Sequence, residues 1–184
     1  MAIVTASAGA QMKPQTRNGF TISFGFGGGS AGVNCSECDN SRETSPSGYL
    51  RIGGALRPNL ILAGEANVWT KTSTEEGADA TFTIGTVNFV AQWYPQPANG
   101  WFLSAGVGSG SISTEVKVPG LGKFSDHTNG FGYQLGTGYD IRVGSNFSLT
   151  PFATYFATAG GKTDSGGSKL DGNVFHFGLG FTWH

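Results

Sequence analysis

Charge is scarce in this sequence: only 12% of its 184 residues are Asp, Glu, Lys or Arg. Eleven basic against twelve acidic residues leave a net charge of -1, and there is no Lys/Arg block. The electrostatic footprint of a nucleic-acid binder is therefore missing, and no nucleic acid is expected as a partner. Also missing is any run of the ~18 to 20 apolar residues that a membrane-spanning helix needs. Nor do apolar residues recur at i, i+3, i+4 and i+7 for long enough to argue an amphipathic helix. The mean hydropathy of -0.12 would pass for that of a soluble protein. That average is blind to a transmembrane β-strand, which needs only ~10 residues with every second side chain apolar.

What the chain has in quantity is glycine, 31 residues, together with 14 Phe, 5 Tyr and 4 Trp. Its length suits one domain, and its composition nowhere shifts sharply enough to suggest two. Residues 1–17 stand apart. Met1 to Ala10 are mostly small and apolar and end in Ala8-Gly9-Ala10, the small-x-small form of a signal-peptidase site. This segment reads as a signal-peptide remnant or a disordered N-terminal segment, with the folded domain spanning 18–184.

Alternation with period two recurs along that domain, so the expected fold is all-β. Strand one sets Phe20, Ile22, Phe24 and Phe26 against Thr21, Ser23, Gly25 and Gly27. Seven more are expected over Gly48–Leu56, Leu60–Lys71, Thr81–Tyr94, Trp101–Ser113, Phe131–Val143, Phe147–Thr158 and Asn173–His184. Short turns rich in Pro, Asn and Gly, namely 57–59, 95–100 and 144–146, alternate with longer polar links at 33–47, 72–79, 117–129 and 159–172. In an up-and-down meander, that alternation puts every tight turn at one end and every long loop at the other, as outer-membrane barrels do.

Which face is apolar decides the solvent. The last strand places Phe175, Phe177, Leu179, Phe181 and Trp183 on one face, and His176, Gly178, Gly180, Thr182 and His184 on the other. Eight strands of bulky residues pointing inward would overfill so narrow a barrel, so the bulky rows point to lipid and the lumen receives Gly and polar side chains. Trp93, Trp101, Tyr139 and Trp183 then form an interfacial aromatic girdle at the short-turn end. The fold class is an eight-stranded antiparallel up-and-down transmembrane β-barrel of the bacterial outer membrane.

The meander, the segment Gly136-Thr137-Gly138-Tyr139-Asp140-Ile141, the following Phe147-Ser148-Leu149-Thr150-Pro151 and the ending Phe177-Gly178-Leu179-Gly180-Phe181-Thr182-Trp183-His184 resemble the small outer-membrane barrels of the OmpX/OmpA type. That resemblance covers roughly 18–184. It implies a structural, adhesive or surface-interaction role and a bed of outer-membrane lipid and lipopolysaccharide. It further implies recognition of the aromatic last strand by the barrel-assembly machinery, with the long loops as the contact surface for any partner.

Within the lumen, Arg51 and Glu65 are the unlike charges mid-strand on neighbouring strands. Pairing Leu56 with Leu60 across the Arg57-Pro58-Asn59 turn sets them directly opposite each other. They are expected to plug the lumen as a salt bridge, the alternative being the gate of a thin channel. Asp140, Arg142 and Arg57 are expected to form a second network near the turn end. Cys35 and Cys38 form a CxxC that reads as a local disulfide, and no metal or cofactor is expected. Some eight-stranded barrels are lipid A deacylases or acyltransferases that use Ser and His, which makes a lipid-modifying enzyme the alternative function. Ser125, Asp126, His127 and His176 are the candidates, but three successive loop residues cannot by themselves hold a nucleophile against a base. No catalytic residue is therefore assigned.

Overall fold

The computed structural model describes residues 17–34, 41–75, 78–118, 120, 122–163 and 169–184. Eight strands are present: β1 (Gly19–Asn34), β2 (Glu43–Arg57), β3 (Leu60–Glu75), β4 (Ala78–Trp93), β5 (Trp101–Val118), β6 (Gly122–Tyr139), β7 (Phe147–Thr163) and β8 (Lys169–Trp183). Beyond Asp140, β6 resumes as the short piece Ile141–Arg142, which still pairs with β7. Every neighbour is antiparallel, and β1 pairs with both β2 and β8, so the sheet closes on itself. Closure leaves no free strand edge in the membrane, where an unpaired backbone could not be solvated.

The outward rows carry an apolar band with a sharp upper limit. On β5 the outward residues are Trp101, Leu103, Ala105 and Val107, then Ser109, Ser111, Ser113, Glu115 and Lys117. On β8 they run from Trp183 through Phe181, Leu179, Phe177 and Phe175 to Asn173 and Asp171. Leu60 to Val68 on β3 and Phe175 to Trp183 on β8 each match the ~9–11 residues of a transmembrane strand. Many of these bulky residues are openly exposed, Phe89 and Phe177 among them.

The strands are longer than their alternation suggested. Most of 117–129, expected as a long loop, belongs to β5 and β6, which pair as far as Val118 with Gly122. Likewise 72–79 is nearly all β3 and β4. Above the lipid both faces of a strand meet water, so Ser, Thr and charged residues extend the ladder without an apolar alternation to reveal it. The barrel therefore stands out of the membrane as sheet.

A second departure lies inside. The lumen is not uniformly polar but holds two apolar layers: Trp69, Ile84, Ile112, Phe156, Val174 and Ala31 toward the long-strand end, and Ile61, Ala63, Tyr94 and Phe102 toward the turns. Inward glycines let strands and side chains crowd this narrow interior. A Cβ on Gly27 would lie 1.9 Å from the carbonyl oxygen of Phe177, and one on Gly178 would lie 2.1 Å from that of Phe26. Only hydrogen fits at this β1–β8 seam.

Candidate functional site

Mid-lumen, the sequence fixes the geometry through register. Arg51 on β2 lies directly opposite Glu65 on β3, and its Nε donates to Glu65 Oε2 with both side chains buried. Arg51 Nη1 also donates to Gln92 Oε1 at 2.8 Å. On the other side of the carboxylate, Gln134 Nε2 donates to Glu65 Oε1 at 2.8 Å. The Gln134 carbonyl in turn accepts from Asn67 and Asn88, at 2.8 and 2.9 Å. Charge is thus cancelled and most polar atoms are bonded, which is what makes a buried ion pair tolerable.

The chain of bonds continues toward the turn end. Gln92 Nε2 donates to Tyr94 Oη at 2.7 Å, Tyr94 Oη donates to Asp140 Oδ2 at 2.8 Å, and Thr150 Oγ1 donates to Asp140 Oδ1 at 2.8 Å. From Thr150 the path runs through Thr182 to Ser23 and the Tyr49 hydroxyl. One connected network, with members on seven of the eight strands, crosses the bore from Gln134 to Asp140.

Asp140 is where β6 breaks. Its N–H leaves the ladder and donates to the Gly100 carbonyl at 2.9 Å, an approach that a Cβ on Gly100 would block, since it would sit 2.2 Å from the Asp140 carbonyl oxygen. Arg17 Nη2 stands 3.7 Å from Asp140 Oδ2, and His184 Nε2 stands 3.4 Å from the same oxygen. The Arg17 guanidinium lies 3.4 Å from the centre of the Tyr94 ring and donates to the carbonyls of Pro97 and Asn99 at 3.0 and 3.1 Å. Residues that precede β1 and follow β8 thus converge on one carboxylate.

Arg17 occupies the place beside Asp140 expected of Arg57. A bulge between Ala55 and Arg57 shifts the register to Arg57 opposite Leu60, and Arg57 is exposed; among the described residues no ion pair involves it. The bulge breaks the alternation that would have turned Arg57 inward. Half-buried Arg142 donates from Nη1 to the Ser145 carbonyl at 2.9 Å, within its own turn. No pattern announced Arg17, because it precedes the first alternating residue.

Trp93, Trp101 and Trp183 are exposed on the outward face at the turn end, where Trp101 pairs with half-buried Tyr139 and donates to Thr137 Oγ1 at 3.0 Å. Cys35 and Cys38 lie outside the described residues. Ser125, Asp126 and His127 are exposed strand residues of β6, and alternation puts Asp126 on the face opposite the other two. The His127 ring nitrogen Nε2 bonds Asn129 Oδ1 at 2.9 Å. His176 is buried deep in the lumen, its ring 4.6 Å from that of Phe152. Outside the lipid band, Glu115 is bridged to Lys123 at 2.6 Å and Lys117 at 3.4 Å. The Lys123 hydrogen bond chiefly holds the Glu115 carboxyl below its ordinary range.

The model of the family described as "Outer membrane protein beta-barrel domain" matches residues 1–182. The chain belongs to this family. Among solved structures it is similar to Ail, the attachment invasion locus protein of Yersinia pestis, in complex with the heparin analogue sucrose octasulfate. That match has a TM-score of 0.65 and 14% identity, covering 91% of this chain and all of Ail. It is also similar to Neisserial surface protein A, at a TM-score of 0.60 and 12% identity over 89% of this chain and 96% of the other. At such identities the likeness shows the fold alone. A curated relative, the immunoglobulin A1 protease autotransporter of Haemophilus influenzae, is 27% identical over 120 residues; these are 64% of this chain and only 7% of that protein's length. The protein is an integral outer-membrane β-barrel.

Proposed function

We propose that this barrel is a surface-interaction protein whose membrane part serves as an anchor. The observation that carries the reading is the filled lumen: the Arg51–Glu65–Gln134 network closes the middle of the bore, and the Trp69, Ile84, Ile112 and Phe156 layer closes it again above. Eight strands leave an interior just wide enough for side chains. With the bore filled at these two levels, what the molecule offers its surroundings in this reading is the sheet that rises beyond the lipid band. The exposed ends of β5 and β6, carrying Lys117, Lys123, Phe124 and His127, are the contact surface in this reading. Lipopolysaccharide and outer-membrane lipid surround the band, and the barrel-assembly machinery handles the aromatic β8 during insertion.

Ail was crystallised with a heparin analogue, so a sulfated saccharide is a ligand class to try first on these lysines. Catalysis is not part of this reading, because the histidine ring of the Ser125, Asp126, His127 group bonds Asn129 instead of a hydroxyl. Planar-bilayer recording of the purified barrel tests the closed bore. We expect no discrete conductance steps in molar KCl, and stable single-channel openings of the unmodified protein would reject the anchor reading in favour of a channel.

A further inference from the structure

Above the upper apolar layer, the inner wall of the protruding sheet encloses a pocket of about 330 Å³. Its position is informative, because Trp69 and Ala31 of the upper apolar layer form its lower lining and its other lining residues lie beyond them toward the long-strand end. We infer that this mouth pocket binds a small uncharged aromatic molecule carrying a hydroxyl, of the phenol class.

Three features set that chemistry. Trp69 and Phe82 line it edge to face, with ring centres 6.2 Å apart and planes at 73°. The Trp69 indole is held in place by donating to the Gly29 carbonyl at 2.8 Å. A third ring entering beside them continues an arrangement that aromatic quadrupoles favour. Val33 and Phe82 are only half-buried at a mouth that faces water, so an apolar guest removes surface from solvent.

At the rim, Lys71 Nζ donates to Glu43 Oε2, and among the described residues Glu43 Oε1 and two ammonium protons remain for a guest. A hydroxyl can use either group, as acceptor or donor. Lys71 and Glu43 neutralise each other, so the rim offers no net charge to repay the desolvation of an ionic guest, and the site favours a neutral head. The volume lies at the small end of the ~300–1,000 Å³ of ligand pockets, enough for one substituted ring and too little for a peptide or an oligosaccharide.

The test uses the full chain in nanodiscs with Trp93, Trp101 and Trp183 replaced by Phe, leaving Trp69 as the only indole. Titration with 4-bromophenol should quench its fluorescence saturably, through heavy-atom contact. The anionic counterpart 4-bromobenzoate should bind at least tenfold more weakly. Filling the pocket by Ala80→Phe should remove the saturable phase while the barrel keeps its heat-modifiable migration. If Ala80→Phe does not fold, Thr114→Phe on β5 takes its place. Quenching that rises linearly and survives the filled pocket is partition into lipid and overturns the site. Equal binding of 4-bromobenzoate overturns the neutral-head assignment.

Discussion

Replacing Glu65 by Ala should destabilise the barrel by about 3 kcal/mol, the scale on which a buried charge stripped of its partner is penalised. The lost carboxylate accepts from Arg51 Nε and Gln134 Nε2. Its removal leaves a guanidinium enclosed by protein, with Gln92 as its remaining acceptor and the rings of Tyr49 and Phe102 nearby, at 5.2 and 5.8 Å. Removing both charges together, as Arg51→Met with Glu65→Leu, should cost much less than the sum of the two single changes, because the double variant leaves no charge unpaired. Urea unfolding in lipid vesicles, carried through as a double-mutant cycle, measures this. A coupling below about 0.5 kcal/mol would mean that the two residues act independently.

The second large effect should come from Asp140→Ala. That carboxylate accepts from the Tyr94 and Thr150 hydroxyls and faces Arg17 and His184. Its loss takes the facing carboxylate from the buried Arg17 guanidinium and the acceptor from two hydroxyls, at the point where β6 leaves the ladder. We expect a cost again near 3 kcal/mol, concentrated at the turn end. Hydrogen exchange should therefore accelerate first in 97–101 and 143–147, with the mid-strand amides of β3 and β4 little changed. Asp140→Asn keeps one oxygen acceptor and should lose less. Uniform acceleration over all strands would show that Asp140 contributes to global stability without clamping the chain ends.

These residues show how far a sequence of this kind can be read. The outward rows of β5 and β8 are plain, since lipid demands apolar side chains on one face and a narrow lumen demands small ones on the other. Register follows from the turns: opposite placement of Arg51 and Glu65 needs only the Arg57-Pro58-Asn59 corner. The bulge beside that corner was not legible, because it depends on how the turn closes in three dimensions, and it moved Arg57 out of the lumen. Strand β3 hid its inner layer for another reason. Leu60, Leu62 and Val68 face out while Ile61, Ala63 and Trp69 face in, so apolar residues on both faces blur the alternation. Strand ends above the lipid carry no apolar signal at all and read as loops. Arg17 was invisible because its partners, Pro97, Asn99, Tyr94 and Asp140, are brought to it only when the barrel closes.

Orientation of the two faces is the claim on which the rest depends, and brominated phospholipid tests it directly. Four variants, each retaining one tryptophan, are reconstituted in bilayers whose acyl chains carry bromine at graded depths. Trp93, Trp101 and Trp183 should be quenched strongly, most by bromine near the interface, and Trp69, enclosed in the lumen, should be left nearly untouched. Strong quenching of Trp69 with the other three protected would mean that the bulky rows face inward, and the account would be wrong.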